Sequence, residues 1–124
     1  MTIAYLCIAI SIFIPLICAG YAKLSVKGYD NSKPREFLAS LEGKAQRANY
    51  AQSNFYETFP AFGFSVVIAQ QLGAVQSTID ALAITYVVAR IAYAYFYISG
   101  NHTLRSIAWS IGFASIIALF FLPK

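Results

Sequence analysis

The chain has 124 residues, 59% of them hydrophobic and 11% charged, with a mean hydropathy of +0.61. A soluble domain carries about twice that share of charge, so the composition excludes one and identifies an integral membrane protein. The net charge of +4 is read below as an orientation signal rather than as affinity for nucleic acid.

Residues 1–22, "MTIAYLCIAISIFIPLICAGYA", contain no charged side chain, and a membrane span needs about 20 such residues at about 1.5 Å rise each. A signal peptide would begin with a basic stretch and carry a shorter apolar one, so this segment is predicted to be the first transmembrane helix. Cys7 and Cys18 stand about 16 Å apart on that helix, too far to pair or to share a metal, and are read as packing residues. The loop over 23–47 contains "DNSKPREFLASLEGKAQRA", which opens with turn formers and places Ser32 and Pro34 where a helix can begin. Phe37, Leu38 and Leu41 then fall on one side, which predicts a short interfacial helix leading into the second span.

Three further spans are predicted over 48–72, 77–98 and 107–122, separated by a turn at Gly73–Gln76 and by the loop "SGNHTLRS". Four spans use nearly the whole chain. The expected architecture is therefore all-α, a single four-transmembrane-helix domain over residues 1–124. Basic residues flanking the spans stay on the cytoplasmic side. The first loop holds Lys23, Lys27, Lys33, Arg35, Lys44 and Arg47, the last holds Arg105, and the turn between spans two and three has none. Both termini are thus expected on the non-cytoplasmic side.

Ionised groups near the bilayer centre cost about 2.5 to 3.5 kcal/mol each, so they must face protein or water. At about 100° per residue, Arg47, Tyr50, Asn54 and Glu57 fall within roughly 80° of one another on the second span, with Ala61 continuing the stripe. On the third span Tyr86, Arg90, Tyr93 and Tyr97 fall within roughly 60°. Glu57 and Arg90 are expected at one depth, about 12 Å in, as an ion pair closing the base of a funnel. Tyr50, Tyr97, Arg105 and Ser106 are expected near its cytoplasmic rim. Asn54 alone could equally be glue between helices, Tyr5, Tyr86 and Trp109 fit core or interface positions, and His102 reads as a solvated loop residue. No repeat, glycine-rich phosphate loop or cluster with metal-ligand spacing is present, so no metal site is expected.

"RANYAQSNFYETFP" together with "ARIAYAYFYISGNHTLRSIAW" resembles the MAPEG family, the membrane-associated proteins in eicosanoid and glutathione metabolism. The layout of four spans agrees over the whole chain; the specific likeness lies in residues 43–62 and 86–109. The loop "GYDNSKPREFLASLEG" is similar to that of bacterial members. Asn-x-x-Glu-x-x-Pro on the second span combined with Arg-x-x-Tyr-x-x-x-Tyr on the third carries the resemblance.

That resemblance implies a homotrimer in a bacterial inner membrane, with glutathione as co-substrate held between subunits near the cytoplasmic face. It implies a glutathione-dependent transferase or peroxidase acting on a lipophilic electrophile. Asn54 and Glu57 would hold the γ-glutamyl end, Arg47 and Gln52 would lie close to the peptide, and Arg90, Tyr93 and Tyr97 would line the site. Arg105, Ser106 and Tyr97 would be the catalytic group, with the arginine and serine facing the thiol. Two positions depart from the eicosanoid-making members: Tyr50 stands where they carry arginine, and only Lys23 or Lys27 stands at the end of the first span. The alternative is a non-catalytic lipid-binding or partner-binding membrane scaffold. A small channel or transporter is a third reading, against which the chain shows no repeated half.

Overall fold

A computed structural model describes all residues 1–124 and contains six helices and no strand. They are α1 (Ile3–Ser11), α2 (Phe13–Leu24), α3 (Pro34–Ala39), α4 (Gly43–Gln71), α5 (Gln76–Ser99) and α6 (His102–Phe120). Three helical stretches are long and apolar enough to cross a membrane: Ile3–Leu24, which joins α1 and α2, then Gln76–Ser99 and His102–Phe120. The protein is a membrane protein, and Phe13, Ile17, Phe64, Val88 and Tyr95 lie exposed on its helices. At 29 residues, α4 extends roughly 43 Å. Its first half is too polar to count as a span by hydropathy.

The first span keeps helical dihedrals through Ile12, φ −58° and ψ −32°, but its hydrogen bonding is interrupted there. Pro15 has no amide N–H for the Ser11 carbonyl, which relaxes the helix one turn before the proline. The buried Ser11 hydroxyl turns back to the Ile8 carbonyl at 2.8 Å. In the loop, Asp30 accepts from the Ser32 amide at 2.9 Å and from the Ser32 hydroxyl at 2.6 Å. These bonds hold the exposed Asp30 carboxyl below the ordinary carboxylate range, the hydroxyl contributing most. Pro34 then opens α3, and Leu41 beyond it is buried with Ala22, Ala45 and Ala48. The short loop helix packs as its apolar spacing predicts, although Ser40–Glu42 separate it from α4 instead of feeding it directly into the long helix.

Two helices begin earlier than expected, both at the same polar end of the bundle. α4 starts at Gly43, five residues before 48, and α6 starts at His102, five before 107. Only Gly100 and Asn101 separate α5 from α6. Gly100 adopts φ 86°, a left-handed conformation that ends α5, while the Asn101 side chain accepts from the Leu104 amide and starts α6. The segment read as a loop is thus a two-residue reversal, which fixes α6 alongside α5.

The largest core cluster joins α1, α4, α5 and α6 through Phe62, Val66, Ala69, Ile79, Ala83, Tyr86, Ile116 and Leu119. Phe62 and Tyr86 stack at 3.8 Å with their planes 15° apart. Smaller clusters around Cys18, Ala51, Tyr93 and Ala108, and around Ala22, Leu41, Ala45 and Ala48, close the other half.

Candidate functional site

Arg90 on α5 is 2% exposed and lies between α4 and α6. Gly112 of α6 faces its Cδ, so a Cβ there would sit 3.7 Å from it. Its Nη2 donates to Asn54 Oδ1 at 2.9 Å, and Asn54 Nδ2 donates to Glu57 Oε2 at 3.1 Å. The direct Glu57–Arg90 ion pair expected from equal depth is therefore corrected: Asn54 stands between the two charges. The reason is reach, because Asn54 lies one turn nearer the N-terminus of α4 and meets the guanidinium first, leaving Glu57 exposed on the helix surface. Arg90 Nε is buried without a hydrogen-bond partner, and the guanidinium packs 4.2 Å from the Tyr93 ring centre and 5.7 Å from that of Phe55.

Below this layer, Thr58 Oγ1 and the Tyr86 hydroxyl share a hydrogen bond of 3.1 Å. Tyr86 thus belongs to the core rather than to the polar recess. Above it, the Tyr93 and Tyr97 rings meet edge to face at 5.6 Å, and Tyr50 lies 6.4 Å from Tyr97. The Arg105 guanidinium sits 4.5 Å from the centre of the Tyr97 ring. Tyr93, Tyr97, Arg105, Ser106, Trp109 and Ser110 line one recess of about 290 Å³. The Gly100–Asn101 reversal brings Arg105 of α6 against Tyr97 of α5. A cation in the first turn of a helix opposes the helix dipole, so local folding does not favour arginine here; the π face of Tyr97 compensates in part.

Arg47 occupies a different place. Its Nε donates to the Ile98 carbonyl at 3.0 Å, capping the end of α5 where a cation complements the dipole. Gln52 stands apart from Asn54 by about 200° around α4 and donates to Asn49 Oδ1 at 2.9 Å. It lines a second recess, of about 530 Å³, between α2, α3 and α4. The structure therefore brings Asn54, Arg90, Tyr93, Tyr97, Arg105 and Ser106 along one side of the α4–α5–α6 packing, keeps Glu57 at its edge, and sends Gln52 to another face. Trp109 and Ser110 extend the recess on the α6 side; their spacing from Arg105 and Ser106 by one turn is the signal in the sequence that carries them.

Comparison with curated proteins and with solved structures gives no match. The model of the MAPEG family matches residues 1–123, essentially the whole chain. On that match, and with membrane-length helices to accord with it, the chain belongs to the MAPEG family.

Proposed function

We propose that the protein binds glutathione and joins its sulfur to, or uses it to reduce, a lipophilic electrophile that enters from the bilayer. The family to which the chain belongs supports a glutathione-related membrane role. The observation that carries the finer reading is Arg105, held over Tyr97 at the first turn of α6 with Ser106 beside it in an open recess. Arginine and the free amides of a helix start both stabilise a thiolate over a thiol. A thiol of pKa about 8.5 is about 3% ionised at pH 7, and a shift to about 7 raises that roughly fifteenfold. The thiol proton leaves to water; in conjugation the sulfur pair forms the S–C bond as the leaving group departs with its own electron pair. In reduction it attacks a peroxide oxygen, the O–O bond breaks to release an alcohol, and a second glutathione displaces hydroxide from the sulfenic acid to give the disulfide and water.

The assembly in this reading is a homotrimer with α4 as the fourth span, the basic loop and the Gly100–Asn101 reversal toward the cytoplasm, and both termini on the other side of a bacterial inner membrane. Its support is the exposed Glu57 on α4 and the exposed Ser106 and Ser110 on α6. A carboxylate facing lipid costs too much to leave uncovered, and the two polar faces differ, as head-to-tail packing in a closed ring requires. Asn54, Glu57, Arg90 and Tyr93 hold the peptide, with Arg47 behind them at the end of α5.

The test is thiolate ultraviolet absorbance followed against pH with saturating glutathione. Ionisation is expected at lower pH in the wild type than in Arg105→Leu, with conjugation falling more than binding because the cation favours the thiolate. Equal titrations would remove Arg105 from the chemistry. A second reading, a lipid-binding scaffold, rests on an all-apolar groove of about 380 Å³ between the first span and α5, lined by residues including Ile10, Ile14, Tyr21 and Ile91. A wild type that binds no glutathione would favour it.

A further inference from the structure

The chain has one histidine, and the proposed chemistry leaves it unused. His102 is the first residue of α6, so it belongs to the helix rather than to the polar loop in which its sequence setting places it. Around α6 it falls between Arg105 and Ser106, about 60° from the one and about 40° from the other, and within about 20° of Trp109. Those three residues line the recess at Tyr97. His102 therefore stands over that recess, one turn nearer the start of the helix.

Ser106 connects the two. It lines the recess of about 290 Å³ with Tyr97 and Arg105, and a more open one of about 610 Å³ with His102 and Thr103. Residues four apart on a helix bring their Cβ atoms to about 5 to 6 Å, and helical side chains lean toward the helix start, so the Ser106 side chain is directed at the turn that His102 opens. His102 Nδ1 lies 3.5 Å from Thr103 Oγ1, a long contact that orients the ring. With the hydrogen on Nδ1, Nε2 carries the free lone pair.

The groups around this end differ in what they can do with a proton. Arg105 on the same helix, and Arg47 of α4, whose guanidinium lies at Gly100, are permanent cations and accept none. Tyr93 and Tyr97 of α5 and the hydroxyls of Thr103, Ser106 and Ser110 are too weakly basic to keep one, and no carboxylate lines either recess. Imidazole is the side chain whose ordinary titration range suits it to take a proton near neutral pH.

We propose that His102 receives the thiol proton of glutathione through Ser106, so that Arg105 stabilises the thiolate while His102 sets how fast it forms. The inference rests on the glutathione reading above. The S–H bond breaks with its electron pair left on sulfur, and the Ser106 oxygen takes that proton as its own passes to His102 Nε2. The imidazolium then releases it to water on the exposed side of α6. Arg105 changes how much thiolate exists at equilibrium; His102 changes only the rate of reaching it.

The experiment mixes the full chain, purified in detergent, with glutathione in a buffer free of imidazole, and follows thiolate ultraviolet absorbance by stopped flow. His102→Gln is expected to slow thiolate formation roughly 10²-fold, the usual scale of general acid–base help, while the final thiolate fraction stays within about twofold of wild type. Added imidazole should restore the rate of this variant in proportion to its concentration, a response that a merely structural role would not give. Arg105→Leu should show the reverse pattern, a smaller final fraction. The exposed position of His102 makes loss of folding avoidable. If His102→Gln forms thiolate as fast as wild type, or is slow and indifferent to imidazole, the proton-acceptor role is overturned while the glutathione reading stands. If wild type forms no thiolate with glutathione, both fall.

Discussion

Past Thr58 on α4, the side chains facing the bundle are Phe62, Ser65, Val66 and Ala69, and they meet Ile79, Ala83, Tyr86, Ile116 and Leu119. Ahead of Thr58 the same helix presents Asn54 to Arg90, places Arg47 at the end of α5 and leaves Glu57 exposed. The first region closes on itself: its one conspicuous polar pair, Thr58 and Tyr86, is mutually satisfied. The second does not, since Arg90 Nε has no partner and Glu57 is exposed. Packing thus concentrates in one half of the molecule and unmet charge in the other. A single chain satisfies its groups at one end and leaves polar groups unmet at the other.

The largest effect should come from the join between the two regions. Asn54→Leu removes the acceptor of the one hydrogen bond that Arg90 makes to the protein, leaving a buried cation unpaired at a cost of about 3 to 5 kcal/mol. Arg90→Met strands only an amide that Glu57 still engages, and should cost about 1 to 3 kcal/mol. Thermal unfolding of both variants in one detergent checks the order. A milder Asn54→Leu would mean that a neighbouring subunit supplies the guanidinium with another acceptor.

Phe62→Ala tests the opposite region. The lost stacking with Tyr86 and the cavity left behind should cost about 3 kcal/mol. Glutathione affinity per folded molecule should stay within about twofold, because distant sites combine nearly independently. A matching fall in affinity would show that the two halves are one mechanical unit.

The spans at residues 1–22 and 77–98 were legible because lipid leaves long uncharged runs as a record. The polar stripes were legible because burial of charge demands a common face. The direct Glu57–Arg90 pair was not, since helical rise places both charges at one depth but cannot say which side chain reaches first, and Asn54 intervenes. The start of α6 escaped for a related reason: "SGNHTLRS" is polar, so hydropathy marks it as loop, while the Gly100 and Asn101 caps allow helix to begin immediately. Gln52, expected from the resemblance to lie with Arg47 close to the peptide, stands about 200° around α4 from Asn54, because two residues of helix separate them.

The Gly100 reversal should be more sensitive than its exposure suggests. Gly100→Ala forces a side chain into the left-handed region at φ 86°, costing about 1 to 2 kcal/mol. The new Cβ would also lie 4.0 Å from the Arg47 guanidinium. Because this turn sets Arg105 against Tyr97, the variant is expected to lose conjugation rate beyond what the unfolded fraction explains, measured as activity per folded molecule.

The smallest expected effect compares two helix ends closed by opposite charges. At the polar end, Arg47 donates to the Ile98 carbonyl near the C-terminus of α5; at the other, Asp80 Oδ1 accepts from the Ala4 amide at the N-terminus of α1, at 2.9 Å, and from Gln76 Nε2 at 2.8 Å. Each charge has the sign that its helix dipole favours, and each contact should contribute about 1 kcal/mol. Asp80→Ala loses both acceptor and charge and should cost about that amount, whereas Asp80→Asn keeps an oxygen for Ala4 and should lose only a few tenths of a kcal/mol. Arg47→Met should cost about 1 kcal/mol as well. The two positions separate in function: Arg47→Met is expected to weaken glutathione binding several-fold because the guanidinium lies beside the reversal that carries Arg105, while Asp80→Ala leaves binding unchanged at equal loss of thermal stability. Equal loss of affinity from both would mean that binding follows global stability, and the division between a packed half and a chemical half would not hold.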